Sequence, residues 1–162
     1  MTDDKLRTQL YDSFKNRAVI YYLIFDELRT ELGAARAEEI LSRAIYRRGQ
    51  QRGREQFARF APDDLAGLKG AFLGGVADEG RMFQPEVLAS DARQLDIKFH
   101  ACPLKDAWLA AGLGPDEVAT LCRIASRVDY GAFEGAGFGF SADTWQPGRE
   151  GCCLLHVRPG KP

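Results

Sequence analysis

Residues 95–112 read LDIKFHACPLKDAWLAAG, and the period of the apolar positions changes inside that stretch. Leu95, Ile97, Phe99 and Ala101 alternate, as one face of a strand requires, and leave Asp96, Lys98, His100 and Cys102 on the other. Pro103 suits the first turn of a short helix running through Trp108 to Ala111, with Gly112 placed to stop it. A strand feeding directly into a helix in mid-chain predicts a mixed architecture.

Upstream the pattern is helical. Leu10, Phe14, Ala18, Tyr21, Phe25, Leu28 and Leu32 recur at steps of three and four, so a first helix is expected from about Asp4 to Leu32, with Gly33 at its left-handed cap. A second begins near Ala34 with Ile40, Leu41, Ala44 and Ile45 on its inner stripe, and Pro62 ends it. Gly49 and Gly53 sit four apart in that helix, each costing about 1 kcal/mol against alanine. Either another backbone crosses closely there or the positions are tolerated weak points. Arg43, Arg47, Arg48, Arg52, Arg54 and Arg59 could gather an anion, but a solvated helix face is the simpler expectation. Asp63 or Asp64 can cap a third helix carrying Leu65, Leu68, Phe72 and Val76, closed by Gly80.

Downstream, Glu86 to Ser90 pairs with Leu95 to Ala101 around a polar turn at Asp91. Pro115 opens a helix whose inner stripe is Val118, Leu121, Cys122, Ala125, Val128 and Asp129. Strands at about Gly137 to Trp145 and Cys152 to Arg158, joined at Pro147-Gly148, form a closing hairpin. The expected fold is α+β: N-terminal helices followed by an antiparallel sheet of about four strands packed against helices. One domain over 1–162 is expected, with a helical half at 1–80 and a strand-and-helix half at 81–162.

The 22 basic and 23 acidic residues give a net charge of -1, which recommends neither nucleic acid nor an anionic membrane as partner. The longest apolar run, Ala18 to Phe25, falls short of the ~20 residues of a membrane span. A small-molecule partner is expected. The polar opening MTDDKLRTQL has no secretory core, so a reducing, cytoplasmic setting and free thiols at Cys102, Cys122, Cys152 and Cys153 are expected. Adjacent Cys152 and Cys153 should point to opposite faces of a strand.

Asp129 lies seven residues after Cys122 and returns to the same inward side, where an unpaired carboxylate is costly. It is a catalytic candidate, or a carboxylate that caps a neighbour or meets an arginine. His100 and Cys102 are two apart, and Cys102 meets the start of a helix, whose dipole favours a thiolate. That pairing offers a nucleophile and base, against the plainer reading of an inert buried thiol. His156 should share a face with Cys152. The Cys and His spacings match no zinc ribbon, finger or HExxH helix, so no cofactor is expected and a divalent metal stays open. No GxSxG elbow, Walker loop or dinucleotide fingerprint is present.

The segment HACPLKDAWLAAGLGPDEVATLCRIASRVDYGAFEGAGFGF, followed by GREGCCLLHV, resembles the L-2-amino-thiazoline-4-carboxylic acid hydrolase family, as do FKNRAVIYYLIFDELRTELG and AIYRRGQQRG in the helical lead. The resemblance implies a bacterial-type metabolic hydrolase that opens a cyclic amidine or thiazoline ring to an N-carbamoyl product. Cys102, Cys122, Asp129 and Cys152 fall at matching positions. On the layout of the residues, Cys102 is expected as nucleophile, His100 as its base, Asp129 as an orienter or proton-transfer group, and Cys122 and Cys152 as pocket lining. Lys98, Arg123 and Arg127 are the nearby cations for a substrate carboxylate. The hairpin at Gly151-Cys152 also looks like that of 4-vinyl-reductase-type domains, which would make the chain a non-catalytic small-molecule sensor. A homodimer through the N-terminal helices is compatible with either.

Overall fold

The computed structural model describes residues 3–161. Among them are six α-helices and four strands: α1 Asp3–Leu32, α2 Ala34–Gln56, α3 Leu65–Gly74, β1 Pro85–Ser90, β2 Leu95–Phe99, α4 Pro103–Ala110, α5 Pro115–Ala125, α6 Arg127–Ala136, β3 Gly139–Asp143 and β4 Leu154–Arg158. This is the α+β arrangement of N-terminal helices before an antiparallel sheet. Gly33 turns α1 into α2 at φ 83°, and Asp64 caps α3 by accepting the Gly67 N–H at 2.8 Å.

The sheet order is β1-β2-β4-β3, antiparallel throughout, so the last strand to be made occupies the middle beside β2. Leu95, Ile97, Leu155 and Val157 are fully buried on the helix side. On the opposite face His156 sits between Asp96 (3.0 Å) and Asp143 (3.3 Å), and Arg158 reaches Asp96 at 2.7 Å. An aromatic cluster closes the core, with Phe133 stacked on Phe57 at 6.0 Å and tilted against Phe72 at 5.1 Å. α1 is held to the sheet half by Trp108, whose indole N–H donates to the Ala18 carbonyl at 2.7 Å. Its open side leaves Val19, Ile20, Leu23 and Ile24 exposed. No described helix is long and apolar enough to cross a membrane.

Gly49 and Gly53 mark a close helix crossing. A methyl group on Gly49 would collide with the Val128 carbonyl, and one on Gly53 with the Ala132 carbonyl, both on α6. The fit is reciprocal, because a side chain on Gly131 would strike the Tyr46 carbonyl and one on Gly135 the Gln50 backbone. Four glycines let two backbones touch, which offsets the helix propensity that α2 and α6 forgo.

Several local expectations need correction. The helix from Pro115 is two helices: the Ser126 hydroxyl donates to the Arg123 carbonyl at 2.7 Å, and the chain restarts as α6 at Arg127. α3 ends at Gly74, and Val76 lies beyond it in the link to a tight turn at Ala77–Gly80. β2 ends at Phe99, so its alternation does not carry on to Cys102. β4 starts at Leu154, so Cys152 and Cys153 precede the strand and are free of its alternation. Their sulfurs, expected on opposite faces, lie 3.3 Å apart.

Candidate active site

The α2–α6 crossing brings Arg52 and Asp129 to one cavity. Arg52 immediately precedes Gly53, and Asp129 immediately follows Val128, whose carbonyl abuts Gly49. The cavity has a volume of about 220 Å³. It is smaller than the roughly 300–1,000 Å³ of drug-sized sites and suits a molecule of amino-acid size. α1 contributes Phe14, Arg17 and Tyr21, and the entry to α4 contributes Cys102, Leu104 and Trp108. Cys122, Ser126 and Asp129 line it from α5 and α6, and Cys152 and Cys153 from the approach to β4. Gly75, Val76 and Ala77 complete one wall. Beside them Asp78, at a left-handed φ of 52°, is gripped by Arg7 and Arg81 at 3.1 Å each.

Of the residues expected from the sequence, Cys102, Cys122, Asp129 and Cys152 come together here. His100 and Lys98 do not line the cavity. His100 is exposed and its Nε2 lies 2.6 Å from a Glu86 carboxylate oxygen on the neighbouring strand. The chain turns out of the sheet after Phe99, which separates the face of His100 from the inward path of Cys102. Lys98 reaches the Glu150 carbonyl at 3.4 Å. Of the other cations, Arg123 pairs with Glu38 and Arg127 stacks 4.2 Å over Tyr130. The cavity takes its positive charge from Arg17 and Arg52 instead.

Arg17 lies over the Phe14 ring at 4.7 Å, and Arg52 bonds Gln56 at 3.0 Å and lies over Phe57 at 5.5 Å. Neither has a carboxylate within ion-pair distance among the described residues. Arg43, Arg47, Arg48, Arg54 and Arg59 are exposed, so Arg52 alone of the α2 group turns inward. Its signal was legible, since Arg52 lies seven residues beyond Ile45 on the inner stripe. Arg17 was marked in the same way, seven residues after Leu10, three after Phe14 and four before Tyr21 on the stripe of α1.

The thiols are differentiated. The Cys102 thiol is held below its ordinary pKa first by a hydrogen bond from the Cys152 thiol, then by the N–H groups of Lys105 and Leu104 in the first turn of α4, against the opposing effect of burial. Cys152 is correspondingly pushed up, its proton shared with Cys102. Burial raises Cys122, which stays a thiol. Lys105 fixes this geometry by donating to the Gly151 carbonyl at 2.9 Å, which ties the segment before Cys152 to α4. Burial also lifts Asp129 from 3.8 to about 6, opposed by the positive field of Arg52. A carboxyl poised near neutrality can both give and take a proton. Among the described residues no group of three or more His, Cys, Asp or Glu side chains is arranged to hold a metal ion.

No curated protein matches the chain. A family model described as L-2-amino-thiazoline-4-carboxylic acid hydrolase matches residues 13–156, a span that includes every residue lining the cavity. The chain belongs to the L-2-amino-thiazoline-4-carboxylic acid hydrolase family.

Proposed function

We propose that this chain opens the ring of L-2-amino-thiazoline-4-carboxylate, or a close cyclic amidine, by covalent catalysis at Cys102. The observation that carries the reading is the meeting, in one cavity of amino-acid size, of an activated thiol at a helix start, a carboxyl near neutrality and two guanidinium groups without carboxylate partners. Arg17 and Arg52 receive the substrate carboxylate, a role that charge-assisted hydrogen bonding suits. Asp129 takes the proton-transfer role, and the exposed His100 takes none.

The Cys102 thiolate adds to the protonated amidine carbon between ring nitrogen and sulfur. The ring carbon–sulfur bond then breaks, and the departing sulfur takes the proton of Asp129. The substrate is left joined to Cys102 as an isothiourea. Water adds to the same carbon while the Asp129 carboxylate accepts its proton, and the Cys102 thiolate leaves. The product is an N-carbamoyl amino acid bearing a free thiol. Enzyme and Asp129 return to their starting forms, and the proton carried by the amidine passes to solvent.

The test is product formation from L-2-amino-thiazoline-4-carboxylate, followed by chromatography and by titration of the new thiol. Turnover by the native chain, lost in Cys102→Ala and in Asp129→Asn, is expected. Binding of an unchanged ligand by folded protein without turnover would overturn the reading and leave a sensing domain.

A further inference from the structure

Three thiols share one wall of the cavity, and the hydrolytic reading uses only one of them as a nucleophile. Their proximity is built by the backbone. The Phe99 N–H donates to the Cys153 carbonyl at 2.8 Å, and the Cys152 N–H donates to the Phe99 carbonyl at 2.9 Å, so residues 152 and 153 are fixed beside the end of β2. Three residues later Cys102 enters α4, and Lys105 ties α4 back to Gly151. The Cys152 sulfur lies 3.3 Å from that of Cys153, and both line the cavity beside Cys102, to whose helix Lys105 ties this segment. A reagent that fits the cavity reaches all of them.

We propose that Cys102 and Cys152 form a peroxide-sensitive dithiol, in which a hydroperoxide drives a disulfide across the cavity wall and closes the site. The Cys102 thiolate attacks the peroxide O–O bond, which breaks to leave Cys102 as a sulfenic acid and release water, or an alcohol from an organic peroxide. The Cys152 thiol then attacks that sulfur, the S–O bond breaks, and a second water departs as the disulfide forms. Two thiols lose two electrons, and the peroxide gains them. Cys122 shares the cavity but keeps its proton and does not compete as a nucleophile. A small dithiol reverses the bond by exchange. Loss of turnover on oxidation rests on the hydrolase reading; formation of the cross-link does not.

Trypsin separates the partners, because Cys102 falls in peptide 99–105 and Cys152 and Cys153 fall in peptide 150–162, where Arg158 and Lys161 each precede a proline and are not cleaved. Folded protein is treated with hydrogen peroxide, blocked and digested. The expected product joins these two peptides, persists in Cys153→Ser, is absent from Cys152→Ser and is reversed by dithiothreitol. In Cys152→Ser a dimedone adduct is expected on Cys102, formed at least about tenfold faster than any on Cys122. Should Cys152→Ser fail to fold, fragmentation of the native cross-link assigns the bridged sulfur. A closed loop within 150–162 alone, a bridge to Cys153, or Cys102 oxidised irreversibly without a cross-link would overturn the proposal. A cross-link without thiazoline turnover supports it while sinking the hydrolase reading, and turnover without a cross-link does the reverse.

Discussion

Replacing Gly53 by alanine should destabilise the fold, although the same change at Gly70 should stabilise it. Both glycines are inside helices, and alanine improves intrinsic helix propensity by about 1 kcal/mol at either. At Gly70 nothing lies within 4 Å of the added methyl, so the gain stands. At Gly53 the methyl meets the carbonyl and Cα of Ala132, which are backbone atoms and cannot rotate away. The helices must part. Overpacking of this kind costs roughly 1–3 kcal/mol or more, and separation also loosens the Phe57–Phe133 stack, so the net loss should be about 2 kcal/mol. For a chain of this size that lowers Tm by about 4–8 °C, against a rise of about 2–4 °C for Gly70→Ala. Urea unfolding and calorimetry of the two variants measure both signs. Because Arg52 and Asp129 ride on the crossing, Gly53→Ala should also lose turnover at temperatures where it is still folded. A Gly53→Ala variant as stable as Gly70→Ala would refute the close-crossing argument.

The raised pKa of Asp129 makes stability depend on pH. Its folded value of about 6 exceeds the ordinary 3.8, so the folded state holds the proton more tightly and stability falls as pH rises between about 4 and 6. Asp129→Asn removes that cost: its stability advantage over the native chain should grow through this window, reach a few kcal/mol and then level off, as denaturation curves at several pH values would record. Arg52→Gln and Arg17→Gln should each raise KM by about 10–100-fold, the value of a hydrogen bond to a charged group, with a smaller effect on a substrate amide than on the carboxylate. His100→Ala should leave kcat/KM within about twofold of the native value, since its ring is engaged by Glu86 on the exposed side of the sheet.

Periodicity carried the fold because burial imposes it. Phe14, Ala18, Tyr21, Phe25 and Leu28 of α1, Leu41 and Ile45 of α2, Leu65, Leu68 and Phe72 of α3 and the alternation of Leu95, Ile97 and Phe99 follow from one buried face, whereas Leu32 and Ala44, expected on the same stripes, are exposed. The glycine pair of α2 left two readings open, because its meaning lies in the partner helix, more than seventy residues away. The site was legible where the backbone rule continued and illegible where it stopped. Asp129 and Cys122 share an inner stripe and were found by it, despite the break at Ser126. His100 and Cys102 were paired by an alternation that ends at Phe99, and Cys152 and Cys153 were separated by one that starts only at Leu154. Lys105 acts through a contact between distant elements, for which local spacing carries no mark.

Covalent capture at Cys102 can be read directly. Protein mixed with excess L-2-amino-thiazoline-4-carboxylate is quenched in acid during turnover, digested, and peptide 99–105 weighed. The account predicts that this peptide gains the mass of one intact substrate molecule, and that the gain is absent from Cys102→Ser. Product forming at the native rate in Cys102→Ser, or an adduct on another peptide, would contradict it.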